Sequence, residues 1–173
     1  DLSRYGRGEI TGMGPSPDDI AWLEREIAML DRPAVLVTHA PIEYREGYPA
    51  STLPKGGKPA GPLTAPSVFI HDMTGIERIR SLVRGSGSII ACFAGHWHMN
   101  DMVARDGVLY VMTGALREFP YDIRLVEYNA EAIRISTHRL DVPELIDFSY
   151  NREWGNRWIE GESTVRDFVF PFS

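Results

Sequence analysis

Three observations predict an α/β (α+β) fold for this sequence. A segment with helical spacing runs into a short apolar strand twice, over residues 17–38 and again over 75–94. The second of those strands, Ile89 to Ala94, has neither charge nor polar stripe, as expected of a strand covered on both faces. After residue 100 the chain breaks into short runs, several alternating apolar and polar residues and divided by turn residues, which predicts a mainly antiparallel meander.

The opening stretch, residues 1–15, is glycine-rich without a clear period and reads as irregular. Ser16-Pro17-Asp18-Asp19 then gives a helix start, with Ser as cap, Pro at the first helical position and acids in the first turn. Ile20, Leu23, Ile27 and Leu30 follow at helical spacing, so a helix is expected over 17–30. Ala34 to Thr38 is a β-branched apolar strand that ends in His39-Ala40-Pro41. From Ala40 to Ser67 the chain carries Pro41, Pro49, Pro54, Pro59, Pro62 and Pro66, the texture of either a solvated loop or a substrate lid. Arg45, the group best suited to hold a phosphate there, is a candidate substrate contact. Thr74 to Glu77 matches a capping box, Ile76, Ile79, Leu82 and Val83 supply an apolar face, and Gly85 is the expected stop, giving a helix over 75–84. Because helix, strand and histidine-bearing loop recur in that order, the two strands are expected to be neighbours with both loops at one edge.

Beyond the second loop, Asp101–Arg105, Val108–Met112, Ile123–Tyr128 and Ala132–Thr137 read as strands. Asp106-Gly107 between the first two is a strong hairpin signal. Two units are expected: residues 1–140 as the body of the domain and 141–173 as a partly helical wrap or extension, anchored by Trp154, Trp158, Phe168 and Phe170.

The totals narrow the function. A chain of 173 residues with 43% hydrophobic and 24% charged content has enough apolar material for one cored domain. The net charge of −6, with no basic run, argues against a nucleic-acid backbone or an anionic membrane as partner. No apolar stretch approaches the length of a membrane span. A cytoplasmic location is the expectation, with a secreted or periplasmic one as the alternative. The single cysteine, Cys92, sits in the apolar strand and reads as a core residue.

Candidate chemistry gathers on histidines. Ala94-Gly95-His96-Trp97-His98 places two imidazoles one residue apart, just past the carboxyl end of a buried strand, where open α/β sheets bind ligands. Taken alone, the pair reads slightly better as loop histidines packed near Trp97. Set beside Thr38-His39-Ala40-Pro41 it is more specific. A strand ending in Thr-His-x-Pro, followed by one ending in Gly-His-x-His, resembles the C-terminal half of the calcineurin-like metallophosphoesterases. The resemblance extends back to Trp22-Leu23 and forward through Asp106-Gly107-Val108-Leu109-Tyr110-Val111 and Thr113-Gly114-Ala115-Leu116, covering residues 16–138.

That resemblance implies part of a four-layer β-sandwich flanked by helices, with two divalent metal ions at one edge. It assigns His39 and His96 to one metal and His98 to the other. Neutral imidazoles suit Mn, Fe, Zn or Ni. Such a pair of cations hydrolyses phosphate esters with an activated water and no protein nucleophile. It also places the Glu118-Phe119-Pro120-Tyr121 turn near the active edge, where Tyr121 is a candidate substrate contact or a packed aromatic. His71 and His138 fall outside the motifs and read as structural.

The departures matter as much. The family's Asp-x-His, its Gly-Asp and its Gly-Asn-His-Asp are absent before His39, so this chain carries only the histidine part of the site. The expectation is a truncated or processed chain whose N-terminal half, about 100 residues on ordinary domain size, or another subunit, completes the site and covers the strands. The alternative is a non-catalytic scaffold with the same fold and an incomplete metal site. A mononuclear zinc site built on the three histidines is a third option.

Overall fold

A computed structural model describes residues 5–6, 9–10, 15–43, 75–150 and 159–172. Tyr44, Arg45, Lys55, Lys58, His71, Thr74, Trp154 and Trp158 lie outside the described residues. The opening stretch contains a short antiparallel pair, β1 (Tyr5–Gly6) and β2 (Glu9–Ile10), where irregular chain was expected. Helix α1 (Pro17–Ala28) starts as its sequence dictates. The Ser16 hydroxyl accepts from the Asp19 amide at 3.1 Å, and the Asp19 carboxylate accepts from the Ser16 amide at 2.8 Å.

Strand β3 (Ala34–Thr38) pairs in parallel with β4 (Ile89–Ala94), and helix α2 (Ile76–Ser86) crosses between them. The boundaries of α2 differ from expectation. Gly75, in the left-handed region at φ 85°, is the cap, with no side-chain capping bond. Gly85 lies within the helix, and Gly87 at φ 63° ends it. A glycine at the last turn is tolerated there because Ser86 continues the helix and its hydroxyl accepts from the Ile89 amide at 3.1 Å.

Strands β5 (Asp101–Arg105) and β6 (Val108–Met112) form the hairpin expected at Asp106-Gly107. Both turn residues have positive φ, 53° and 77°, the geometry that suits the twist of a two-residue hairpin. The hairpin does not simply extend an antiparallel meander. Strand β6 also pairs in parallel with β4, so the first sheet has the order β3-β4-β6-β5. A second, wholly antiparallel sheet holds β7 (Asp122–Tyr128), β8 (Ala132–Arg139) and β9 (Phe168–Pro171). Helices α3 (Pro143–Ser149) and α4 (Ser163–Arg166) lie between β8 and β9 in the chain.

The two faces of the first sheet bury different things. On one face Leu36, Cys92, Val103, Val108 and Tyr110 pack with Ile79 and Val83 of α2 and Leu23 and Ile27 of α1. On the other, Ala91, Leu109 and Val111 meet Ile133 and Ile135 of β8 and Phe168 and Phe170 of β9. The described residues thus form three layers, helices, sheet and sheet. The second sheet does not reach across β3. Val35 and Val37, on the strand face turned away from Leu36, are exposed, Val37 at 75%. Burial pushes the Cys92 thiol up to about 12, in keeping with its place in the core.

A buried carboxylate secures the start of the long loop. Glu43 is bound by Arg84 at 2.7 Å and by Arg105 at 3.0 Å, tying the segment after β3 to α2 and to β5. No helix of the described residues is long and apolar enough to cross a membrane.

Candidate metal centre

The parallel register fixes where the histidines go. Thr38 is opposite Ala94, and the Gly95 amide donates to the His39 carbonyl at 3.0 Å, so the chain leaves both strands at the same level. The Thr38 hydroxyl donates to the Ala40 carbonyl at 2.8 Å and shapes the turn after His39. The end of β6 joins them, with the Thr113 amide donating to the Ala94 carbonyl at 2.9 Å. Three loops therefore meet at one edge of the first sheet.

Within the His96–His98 loop, alternation sorts the side chains. Trp97 and Met99 turn inward and pack with Met112 and Ile159. The two imidazoles between and before them are left on the open side, half-buried. Both histidines have left-handed backbone, φ 64° and 53°, a conformation that costs a side-chain-bearing residue about 1–2 kcal/mol. Among the described residues only four non-glycine positions have positive φ: His96, His98, Asp106 and Tyr121. Three of these four lie in the loops at this edge of the sheet.

His39 Nε2 and His96 Nδ1 are 3.0 Å apart, their rings edge to face. Two nitrogens each about 2.0–2.1 Å from one metal ion would be separated by about 2.8–3.4 Å in octahedral or tetrahedral geometry. The observed spacing is that of an N–H···N hydrogen bond between the rings in the absence of metal, and it also lies within the span for two ligands sharing one cation. Burial, and then the nearby His39 and His98, holds His96 below the ordinary imidazole value, which keeps it neutral and able to donate a lone pair at pH 7. His98 turns elsewhere: its Nδ1 contacts the Glu118 carboxylate. Among the described residues, no group of three or more His, Cys, Asp or Glu side chains is gathered tightly enough to hold a metal ion by itself. Neutral nitrogen donors at this spacing are compatible with a divalent cation, and the described residues bring no third ligand to them.

Tyr121 is buried, at 5% exposure, and its main chain closes the turn: its amide donates to the Glu118 carbonyl at 2.9 Å. His138 is exposed and pairs with the Ser136 hydroxyl at 3.0 Å.

Sequence reasoning passed over the group that builds the floor of this edge. Asn100, Asp101 and Asp122 are almost fully buried. The Asn100 amide nitrogen donates to Asp122 Oδ2 at 2.7 Å and to the Glu160 carbonyl at 3.1 Å. Its carbonyl oxygen accepts from the Gly114 amide at 3.0 Å. Asp122 in turn accepts from Arg139 Nε at 3.1 Å and Arg166 Nη1 at 2.5 Å. One side chain next to the histidine loop thus fixes the β6–β7 loop and the C-terminal segment together. The only signal in the sequence was an Asn-Asp pair at the start of a strand.

No protein-family model and no curated protein sequence matches the chain. Among solved structures, the chain is similar to a dimetal phosphatase from Danio rerio, with a TM-score of 0.55 and 13% identity over 91% of this chain. The likeness is one of fold: a mixed α/β architecture of two stacked sheets with helices. The chain spans 38% of the length of that structure's chain.

Proposed function

We propose that this chain supplies the histidine part of a dinuclear metal site that hydrolyses phosphate esters, monoester or diester. The observation that carries the reading is the His39–His96 pair, two imidazole nitrogens 3.0 Å apart at adjacent parallel strand ends. The similarity in fold to a protein described as a dimetal phosphatase supports it.

His39 and His96 would hold one cation and His98 the other, the ions being Mn, Fe, Zn or Ni. Two such ions, when bound, activate a water for attack and neutralise the phosphoryl oxygens. The contribution of the chain is to present imidazoles from adjacent strand ends, with Trp97 and Met99 packed into the interior to anchor the loop between them. Arg45, outside the described residues, is the candidate substrate contact within this proposal; the burial of Tyr121 favours the packed aromatic over a substrate contact there.

The remaining ligands come, in this proposal, from further polypeptide, either another part of the same gene product or a second subunit. The exposed Val35 and Val37 face of β3 is the surface it would cover. The test uses the gene product that contains this chain. Replacing His96 or His98 with Ala should lower both its metal content and its hydrolysis of an aryl phosphodiester by at least tenfold. Undiminished hydrolysis in both variants would overturn the proposal, and metal binding without any hydrolysis would favour a non-catalytic scaffold.

A further inference from the structure

The contact between His98 and Glu118 is not explained by the histidine motifs. Glu118 comes from the β6–β7 loop, 20 residues further along the chain, and its carboxylate reaches the Nδ1 of His98. Both partners stand on fixed backbone. His98 is followed by the buried Met99 and by Asn100, whose amide donates to the Ile159 carbonyl at 2.9 Å. Glu118 is followed by Phe119, which is buried against Tyr150 with ring centroids 4.9 Å apart and whose amide donates to the Ser149 hydroxyl at 2.9 Å. The turn closes with the Tyr121 amide on the Glu118 carbonyl. Meeting of the two side chains is therefore set by two anchored loops and not by two free surface groups.

An imidazole that donates from Nδ1 to a carboxylate has one remaining ring nitrogen, and in the neutral ring that nitrogen carries the lone pair. We propose that Glu118 is a positioning residue: it fixes His98 as the Nδ1–H tautomer, locks the ring about its bond to the chain, and leaves Nε2 as the donor facing the open edge. This rests on the phosphoesterase reading for what Nε2 then binds, but the tautomer itself does not depend on it. A carboxylate placed behind a histidine ligand in this way raises its basicity and commonly strengthens metal binding 10–100-fold. Glu118 is partly exposed, so replacing it should leave the fold intact.

The experiment is nitrogen-edited NMR of the histidine rings in the full, metal-free chain, in wild type, Glu118→Ala and Glu118→Gln. The wild type should show His98 with its proton on Nδ1. Glu118→Ala should move the proton to Nε2, the form the free histidine side chain prefers, while Glu118→Gln should retain Nδ1–H because its amide oxygen still accepts. An unchanged His98 tautomer in Glu118→Ala overturns the proposal. Zinc titration of the gene product that contains this chain, as wild type and both variants, is the second readout, with a 10–100-fold loss expected for Glu118→Ala and partial recovery for Glu118→Gln. A tautomer switch in a wild type that binds no zinc would sustain the role of Glu118 and sink the metal reading. Where the wild type binds zinc, equal affinity in Glu118→Ala would overturn the role of Glu118 in metal binding.

Discussion

Replacing Asp122 with Ala is the sharpest test of how the candidate edge is supported. Asp122 has no exposed surface and accepts from three donors: Arg139 Nε, Arg166 Nη1 and Asn100 Nδ2. Removing one partner of a buried ionic group costs about 3–5 kcal/mol, because the remaining charges are left desolvated. Here the arginine side chains retain 32% and 20% exposure, so water can partly rehydrate them, whereas the buried Asn100 amide cannot be reached in that way. The expected loss is therefore at the lower end, about 3 kcal/mol. In urea, with a slope of about 2 kcal/mol per molar for a domain of this size, the midpoint should fall by about 1.5 M without a change in slope. Asp122→Asn keeps the shape and one acceptor and should lose about half as much, roughly 1.5 kcal/mol. Hydrogen exchange at the Gly114 amide, held by Asn100, should accelerate in both variants. A loss below about 1 kcal/mol for Asp122→Ala would refute the reasoning, since the carboxylate would then not be the counter-charge that the arginines need.

Other expectations follow from separate parts of the molecule. Ile133→Ala opens a cavity between the two sheets, where Ile133 packs with Ala91, Leu109 and Val111, and should cost about 2–5 kcal/mol by urea denaturation; a value under about 1 would mean that the sheets do not stack there. Gly161→Ala should destabilise by more than about 1 kcal/mol, because Gly161 has φ 75° and an added Cβ would sit 2.5 Å from the Asn100 carbonyl oxygen; an unchanged melting temperature would count against that close approach. Burial holds both Cys92 and Tyr110 at about 12, above their ordinary values of 9.0 and 10.0. Both groups stay neutral in the fold and ionise more readily once unfolded, so their stabilisation is complete below pH 9 and is lost as pH rises toward 12. Urea midpoints at pH 8, 10 and 11 should fall in that order, less steeply in Cys92→Ala, and a flat profile would contradict the burial of both groups.

Much of the architecture was legible because it rests on local chemistry. Ser16-Pro17 starts a helix wherever it occurs before an apolar stripe, Ile89–Ala94 has no alternative to burial, and Asp106-Gly107 supplies the two positive φ angles that its hairpin needs. The pairing of His39 with His96 was legible through repetition, since two similar segments predict adjacent strands with their loops level. What stayed hidden depends on separations that no local pattern records. The parallel pairing of β4 with β6 places a hairpin arm where a simple meander would not. Asn100, Asp122, Arg139 and Arg166 lie far apart in the chain and acquire meaning only when the sheets stack. Glu118 stood in a turn already suspected of facing the active edge, yet an acid in a turn is usually solvated, and only the anchored neighbours on either side make its meeting with His98 specific. The ends of α2 were misplaced by one or two residues, because Gly85 and Gly87 are equivalent stop signals in sequence and only the left-handed backbone at Gly87 selects between them.

The central claim is that His39 and His96 are ligands of one metal ion, and X-ray absorption of the zinc- or nickel-loaded protein tests it most directly. The wild type should show at least two imidazole nitrogens at about 2.0–2.1 Å, and His39→Ala and His96→Ala should each lose one of them. A metal environment that is identical in the wild type and both variants would contradict it.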